Sequence, residues 1–161
     1  VWIGTSMENE ATCKERSKYL AQTPAAVRWW SAEPLVGDCD WERWIIESKS
    51  DWVVFGGESK QGDANMCREM QISWLRSGLA ACKKLGVAAF NKQLGYWLAK
   101  SILREEKFKN DPSGKKPDCW PADLAVQDYP IDVKAFLATV ERPKRYTKVV
   151  PLEVLNMTVM A

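Results

Sequence analysis

Short unbroken apolar runs alternate along this chain with segments of helical periodicity. Four runs read as buried strands: Val1–Thr5 (VWIGT), Val27–Ser31 (VRWWS), Trp52–Gly56 (WVVFG) and Val87–Asn91 (VAAFN). Each is rich in β-branched or aromatic residues, and continuous rather than alternating hydrophobicity suits parallel strands covered on both faces. After the first run, Thr12-x-x-Glu15 has capping-box spacing and predicts a helix reaching Gln22, with Tyr19 and Leu20 turned to the core. A shorter helix is expected over Trp41–Glu47. The strongest helical pattern runs from about Arg68 to Leu85, where Trp74, Leu75, Leu79, Cys82 and Leu85 form an apolar stripe. Gly86 is placed to close it as a left-handed cap. One more helix is expected around Trp97–Lys107. This strict alternation predicts an α/β fold with right-handed crossovers and a parallel sheet.

Regularity falls past residue 108. Asn110–Gly114 reads as a turn, and Trp120-Pro121-Ala122-Asp123-Leu124 as an anchored turn. Ile131–Val140 suits a short helix or strand, and Lys148–Val154 an edge strand carrying Pro151. The expected division is therefore residues 1–108 as βα units and 109–161 as an irregular extension packed on or covering them.

The pattern also places charges. Glu8, Glu33 and Glu58 each lie just beyond a strand, at intervals of 25 residues, and Lys92-Gln93 occupies the same place after the fourth. In parallel α/β folds the carboxyl ends of the strands share one rim, where the loops that build sites lie. Glu8, Glu33, Glu58, Lys92 and Gln93 are thus the candidate ligand-binding residues. Clustered carboxylates repel one another unless a cation, a proton or a lysine compensates them. Glu8, Glu33 and Glu58 are accordingly also candidate oxygen ligands for Mg²⁺ or Mn²⁺. The loop Gly57–Arg68 is long for a βα connection and is placed to cover the rim.

Composition narrows the chemistry. At 161 residues with 46% hydrophobic and 27% charged residues, the chain suits one folded domain rather than a disordered or low-complexity segment. It contains no histidine, which excludes Ser–His and Cys–His nucleophile pairs. Cys13, Cys39, Cys67, Cys82 and Cys119 are odd in number, scattered and nowhere spaced C-x-x-C. That argues for reducing cytoplasm and against a zinc or iron–sulfur motif. No apolar run is long enough to span a membrane. The net charge of +2 is mild, so nucleic acid enters only as an alternative partner, through Lys107–Lys116, Arg142–Lys148 and the nine tryptophans. The chain opens in strand-like sequence without an initiator Met, as expected of the back part of something longer.

VWIGTSMEN, QTPAAVRWWSAEPLVG, DWVVFGGES, Asn65-Met66-Cys67, GVAAFNKQLGYW and CWPADLAVQDYP, taken in order over about residues 1–130, resemble the last part of an uncharacterised phage-associated family. Full-length members of that family resemble radical S-adenosylmethionine proteins, with a (β/α) barrel and a three-cysteine motif for a [4Fe–4S] cluster. The resemblance implies that this chain is the C-terminal half of such a barrel. S-adenosylmethionine and the cluster are implied for full-length relatives only, and no cofactor is expected on this chain. A half barrel leaves sheet edges uncovered, so a homo-oligomer or a missing N-terminal half is the expected partner. Three functions follow as expectations: a polar binding rim inactive in radical chemistry by itself, a divalent-metal hydrolase or lyase, or a nucleic-acid-binding module of a mobile element.

Overall fold

The structure, a computed structural model, describes residues 1–60, 62 and 66–131. Four strands, β1 (Trp2–Ser6), β2 (Val27–Ala32), β3 (Trp52–Gly56) and β4 (Ala88–Gln93), form one parallel sheet in the order β1-β2-β3-β4. They alternate with α1 (Glu10–Gln22), α2 (Trp41–Ser48) and α3 (Ile72–Leu85), and β4 is followed by α4 (Tyr96–Ile102) and α5 (Glu105–Asn110). The fold is therefore α/β with alternating βα units, and the described sheet is open, with β1 and β4 at its two edges.

The register explains how the core is filled. Trp30 lies beside Val53, and Ala32 beside Phe55, so these side chains share one face of the pleat. The helices cover that face. Trp41 of α2 stacks on both Trp30 and Phe55, with ring centroids 6.1 and 5.4 Å away. On α3, Gly78 leaves room for the Phe55 ring, which an added Cβ would strike. Trp30, Phe55, Val53, Leu75 and Cys82 are fully buried there, and the Trp30 indole N–H is satisfied by Ser48 Oγ at 3.0 Å. The opposite face carries Trp2, Trp29, Trp52 and Phe90. Among the described residues it is shielded by mutual ring packing and Tyr129 rather than by helices. The expectation of a sheet covered on both faces is corrected accordingly: aromatic rings make a strand apolar on both sides without a second helical layer.

Helix ends depart from the expected ones for local reasons. Helix α1 starts earlier than the Thr12 spacing indicates, because Asn9 is the N-cap. Asn9 Oδ1 accepts from the Thr12 N–H and Thr12 Oγ1 accepts from the Asn9 N–H, both at 3.1 Å, so Thr12 is the third helical residue of the capping box. The buried face of α1 runs through Cys13, Ser17 and Leu20, and Tyr19, roughly a third of a turn away, is outward and 58% exposed. Helix α3 starts at Ile72 rather than near Arg68, whose backbone and side chain are engaged elsewhere, as described below. Gly86 does close α3 in the left-handed region, at φ 68°. The single helix expected over Trp97–Lys107 is two, α4 and α5, split where Leu103 and Arg104 adopt extended backbone angles and Leu103 enters the core.

The chain divides into two units, Val1–Pro130 and Ile131–Ala161. The first runs past the boundary expected at residue 108. The Leu94 and Gly95 N–H groups donate to the carbonyls of Gly114 and Ser113, and the Asn91 N–H donates to Val126 O along the β4 edge. The elements expected over Ile131–Val140 and Lys148–Val154 lie, but for Ile131, outside the described residues.

Replacing Asn9 with Ala should cost about 1 kcal/mol of stability in urea unfolding. Tyr19→Ala, on the solvent side of the same helix, should stay within about 0.5 kcal/mol of the parent.

Candidate functional site

Because the strands are parallel and consecutive, the segments that follow β1, β2 and β3 leave on one side of the sheet. At that rim a cleft of about 520 Å³ opens. Glu33, Glu58, Lys92 and Gln93 all line it, so four of the five residues singled out from sequence do meet. Glu8 does not line it. Its backbone is used locally, the N–H donating to Thr12 Oγ1 at 2.8 Å and the carbonyl accepting from the Val36 N–H at 3.0 Å. Its charge still reaches the site weakly, as the smallest of the influences that raise the pKa of Arg68.

The carboxylates do not face one another bare. Lys92 Nζ donates to Glu33 Oε2 at 2.9 Å, where the Glu33 side chain is 18% exposed and that of Lys92 54%. Arg68 grips Glu58 with Nε and Nη2, each at 3.0 Å, and its own backbone N–H donates to Glu58 Oε2 at 2.7 Å. This fork holds the Glu58 carboxyl below the usual carboxylate range, the Arg68 side chain contributing most and its N–H next. The same pairing raises the Arg68 guanidinium.

Lys92 and Gln93 belong to β4 rather than following it, so they leave opposite faces of the strand. Lys92 is exposed, while Gln93 is buried and donates through Nε2 to Gly57 O and Ser59 Oγ, both at 2.8 Å. Gln93 thus ties the loop after β3 to the end of β4. Tyr96 N–H completes the join by donating to Glu58 O at 2.9 Å. The two backbones cross so closely at Gly57 and Gly95 that a Cβ on Gly57 would strike the Leu94 carbonyl. Gly95 also holds φ at 77°, which only glycine adopts freely.

Ser59, Cys67, Arg68 and Lys115 also line the cleft and were not among the candidate site residues. Arg68 had one legible signal, a cation ten residues after Glu58 in the same long loop. Lys115 lay within the basic cluster Lys107–Lys116, next to the turn expected over Asn110–Gly114, and that turn is set by Asp111 Oδ2 accepting the N–H groups of Lys115 and Lys116. The loop expected to cover the rim contributes Met66, Cys67 and Arg68 as wall, and Trp97 Nε1 fastens it by donating to Cys67 O at 2.9 Å.

Among the described residues no group of three or more His, Cys, Asp or Glu side chains is arranged to hold a metal ion. The structure therefore does not gather Glu8, Glu33 and Glu58 as shared oxygen ligands. Cations already compensate two of the carboxylates, and the third stands outside the cleft. The cysteines fit an iron–sulfur cluster no better. Cys13 and Cys82 are buried in the core, and burial pushes the Cys82 thiol up to about 12. The neighbouring Cys13 thiol, then burial, drives that of Cys39 far upward.

Two outcomes test this geometry. Gly57→Ala should destabilise the fold by about 2 kcal/mol or more in chemical unfolding, since backbone rather than a flexible side chain must move. In a carbon-13 NMR titration, Glu58 should titrate below an ordinary glutamate, and Arg68→Ala should return it to the ordinary glutamate range. The folded-state pKa is depressed, so the stability this pair contributes is present above the unfolded value and is lost as pH falls through the folded one.

A family model described as protein of unknown function (DUF5131) matches residues 1–121, well over half of the chain. No curated protein and no solved structure matches it. The match carries a family and no activity, cofactor or phage association with it. The chain is a member of the DUF5131 family.

Proposed function

We propose that this chain supplies the polar ligand-binding rim of a radical-SAM-like βα protein and holds a small charged molecule there, without initiating radical chemistry on its own residues. The observation that carries the reading is the convergence of Glu33, Glu58, Lys92 and Gln93, from three separate strand ends, on one cleft. Four sequential parallel βα units are also what one stretch of a (β/α) barrel would contain, in keeping with the family resemblance.

The chemistry of such a rim follows from its ion pairs. Exposed pairs contribute only about 0–1 kcal/mol, so a ligand that offers the same charges exchanges for them at small cost. An ammonium group replaces Lys92 on Glu33, and an anionic group takes the freed Lys92 or Arg68. Gln93 and the Gly57–Gly95 crossing hold the loop backbone still during the exchange, which limits the ordering cost of binding. Against the two carboxylates stand three cations, Arg68, Lys92 and Lys115, so the cleft favours a ligand with a net negative or zwitterionic end.

Calorimetric titration of the whole chain with S-adenosylmethionine, with methionine and with inorganic phosphate tests this. Saturable binding of at least one is expected, weakened about tenfold or more by Lys92→Gln, the loss of one charge-assisted contact of roughly 1.5 kcal/mol. No saturable binding of any of the three at millimolar concentration would overturn the reading.

A further inference from the structure

The Glu33–Lys92 pair is the wall between the cleft and a second cavity of about 320 Å³ on the sheet face opposite the helices. That cavity is lined by Trp29, Trp52, Phe90 and Tyr129, with Ser31 and Val54 between them. Trp52 is the hub, its ring centroid 5.7 Å from Trp29, 6.2 Å from Phe90 and 5.6 Å from Tyr129. Parallel pairing sets Trp29 beside Trp52, and Gly4, next to Trp29 on β1, leaves space that the indole occupies. The rings are held from several sides. Trp52 Nε1 donates to Asp128 O at 3.0 Å, which also anchors the segment that brings Tyr129 into place.

Two surfaces of different chemistry thus meet at one ion pair. One side is a floor of conjugated rings, with no charge among its lining residues beyond that pair; the other side has three cations against two carboxylates. Flat π-systems stack on indole and phenol rings whatever their substituents, and an anion settles where positive charge is in excess. Resting on the polar-rim reading above, we propose that the two cavities form one site for a free nucleoside monophosphate. The base lies on the Trp29–Trp52 floor and the phosphate reaches Lys92, Arg68 and Lys115. The single excess positive charge answers one phosphate group, which favours the free nucleotide over a nucleic-acid strand.

The test is calorimetric titration of the full chain with adenosine, guanosine, cytidine and uridine 5′-monophosphates, and with ribose 5-phosphate as the ring-free probe. At least one nucleotide should bind tenfold or more tighter than ribose 5-phosphate. Trp29→Leu should remove that advantage while leaving ribose 5-phosphate unchanged, and Lys92→Gln should weaken both. Tyr129→Leu, at a ring 48% exposed, gives a second reading of the floor should Trp29→Leu fail to fold, and should likewise reduce the advantage. Equal affinity for nucleotide and ribose 5-phosphate would overturn the ring subsite while the polar rim stands. Absence of nucleotide binding at millimolar concentration would also overturn it, and the methionine and phosphate titrations then decide the rim separately. Affinity for single-stranded oligonucleotides that rises with length and exceeds that of the mononucleotides would overturn it in favour of a strand-binding groove.

Discussion

Parallel pairing of consecutive strands is the constraint on which the molecule depends. Once β1 to β4 lie side by side in chain order, the segments that leave β1, β2 and β3 have no choice but to emerge on one side. Residues some 25 positions apart in sequence are thereby brought to one rim without any attraction between them. The ladder also decides what each face carries. A register irregularity at Phe55–Gly56 lets Gly56 pair with Gln93 rather than Lys92. Lys92 stays on the face opposite the helices, beside Glu33, and Gln93 points inward to the Gly57 loop.

Electrostatics then shapes what the backbone has gathered. Like charges at one rim are tolerated only with compensation, and the chain draws its cations from different distances. Arg68 comes from the same loop as Glu58, whereas Lys92 comes from 59 residues beyond Glu33. The Lys92–Glu33 pair is one contact to an exposed lysine and is the more readily exchanged for a ligand's charges, whereas the fork of Arg68 on Glu58 is bidentate and backbone-assisted. The fork on Glu58 has a structural consequence as well. It holds Arg68 in the cleft wall and defers the first turn of α3 to Ile72, although the sequence before it reads as helical.

The tryptophans divide according to the sheet's two faces. Trp30 and Trp41 are core residues, packed with Phe55 under the helices. Trp2, Trp29 and Trp52 are not; they share the opposite face with Phe90 and Tyr129. In sequence Trp29 and Trp30 are adjacent and indistinguishable. In a pleated strand neighbours point to opposite sides, and that alternation alone sends one into the helix-covered core and the other to the opposite face.

The strand cores, the order of elements, the left-handed cap at Gly86 and the choice of Glu33, Glu58, Lys92 and Gln93 as rim residues were all legible in the linear pattern, because each is local or follows from strand order. Helix α1 starts three residues earlier than the Thr12 spacing indicates, since Thr12 serves a capping box equally well as cap or as third residue. Tertiary structure alone settled that Lys92 pairs with Glu33 across 59 residues, that Glu8 stays out of the cleft, and that the turn after Asp111 delivers Lys115 to it. These are outcomes of how side chains compete for charge and space once the backbone is in place. Local periodicity determines which segments become strands and helices; packing and electrostatics between distant segments determine which residues meet.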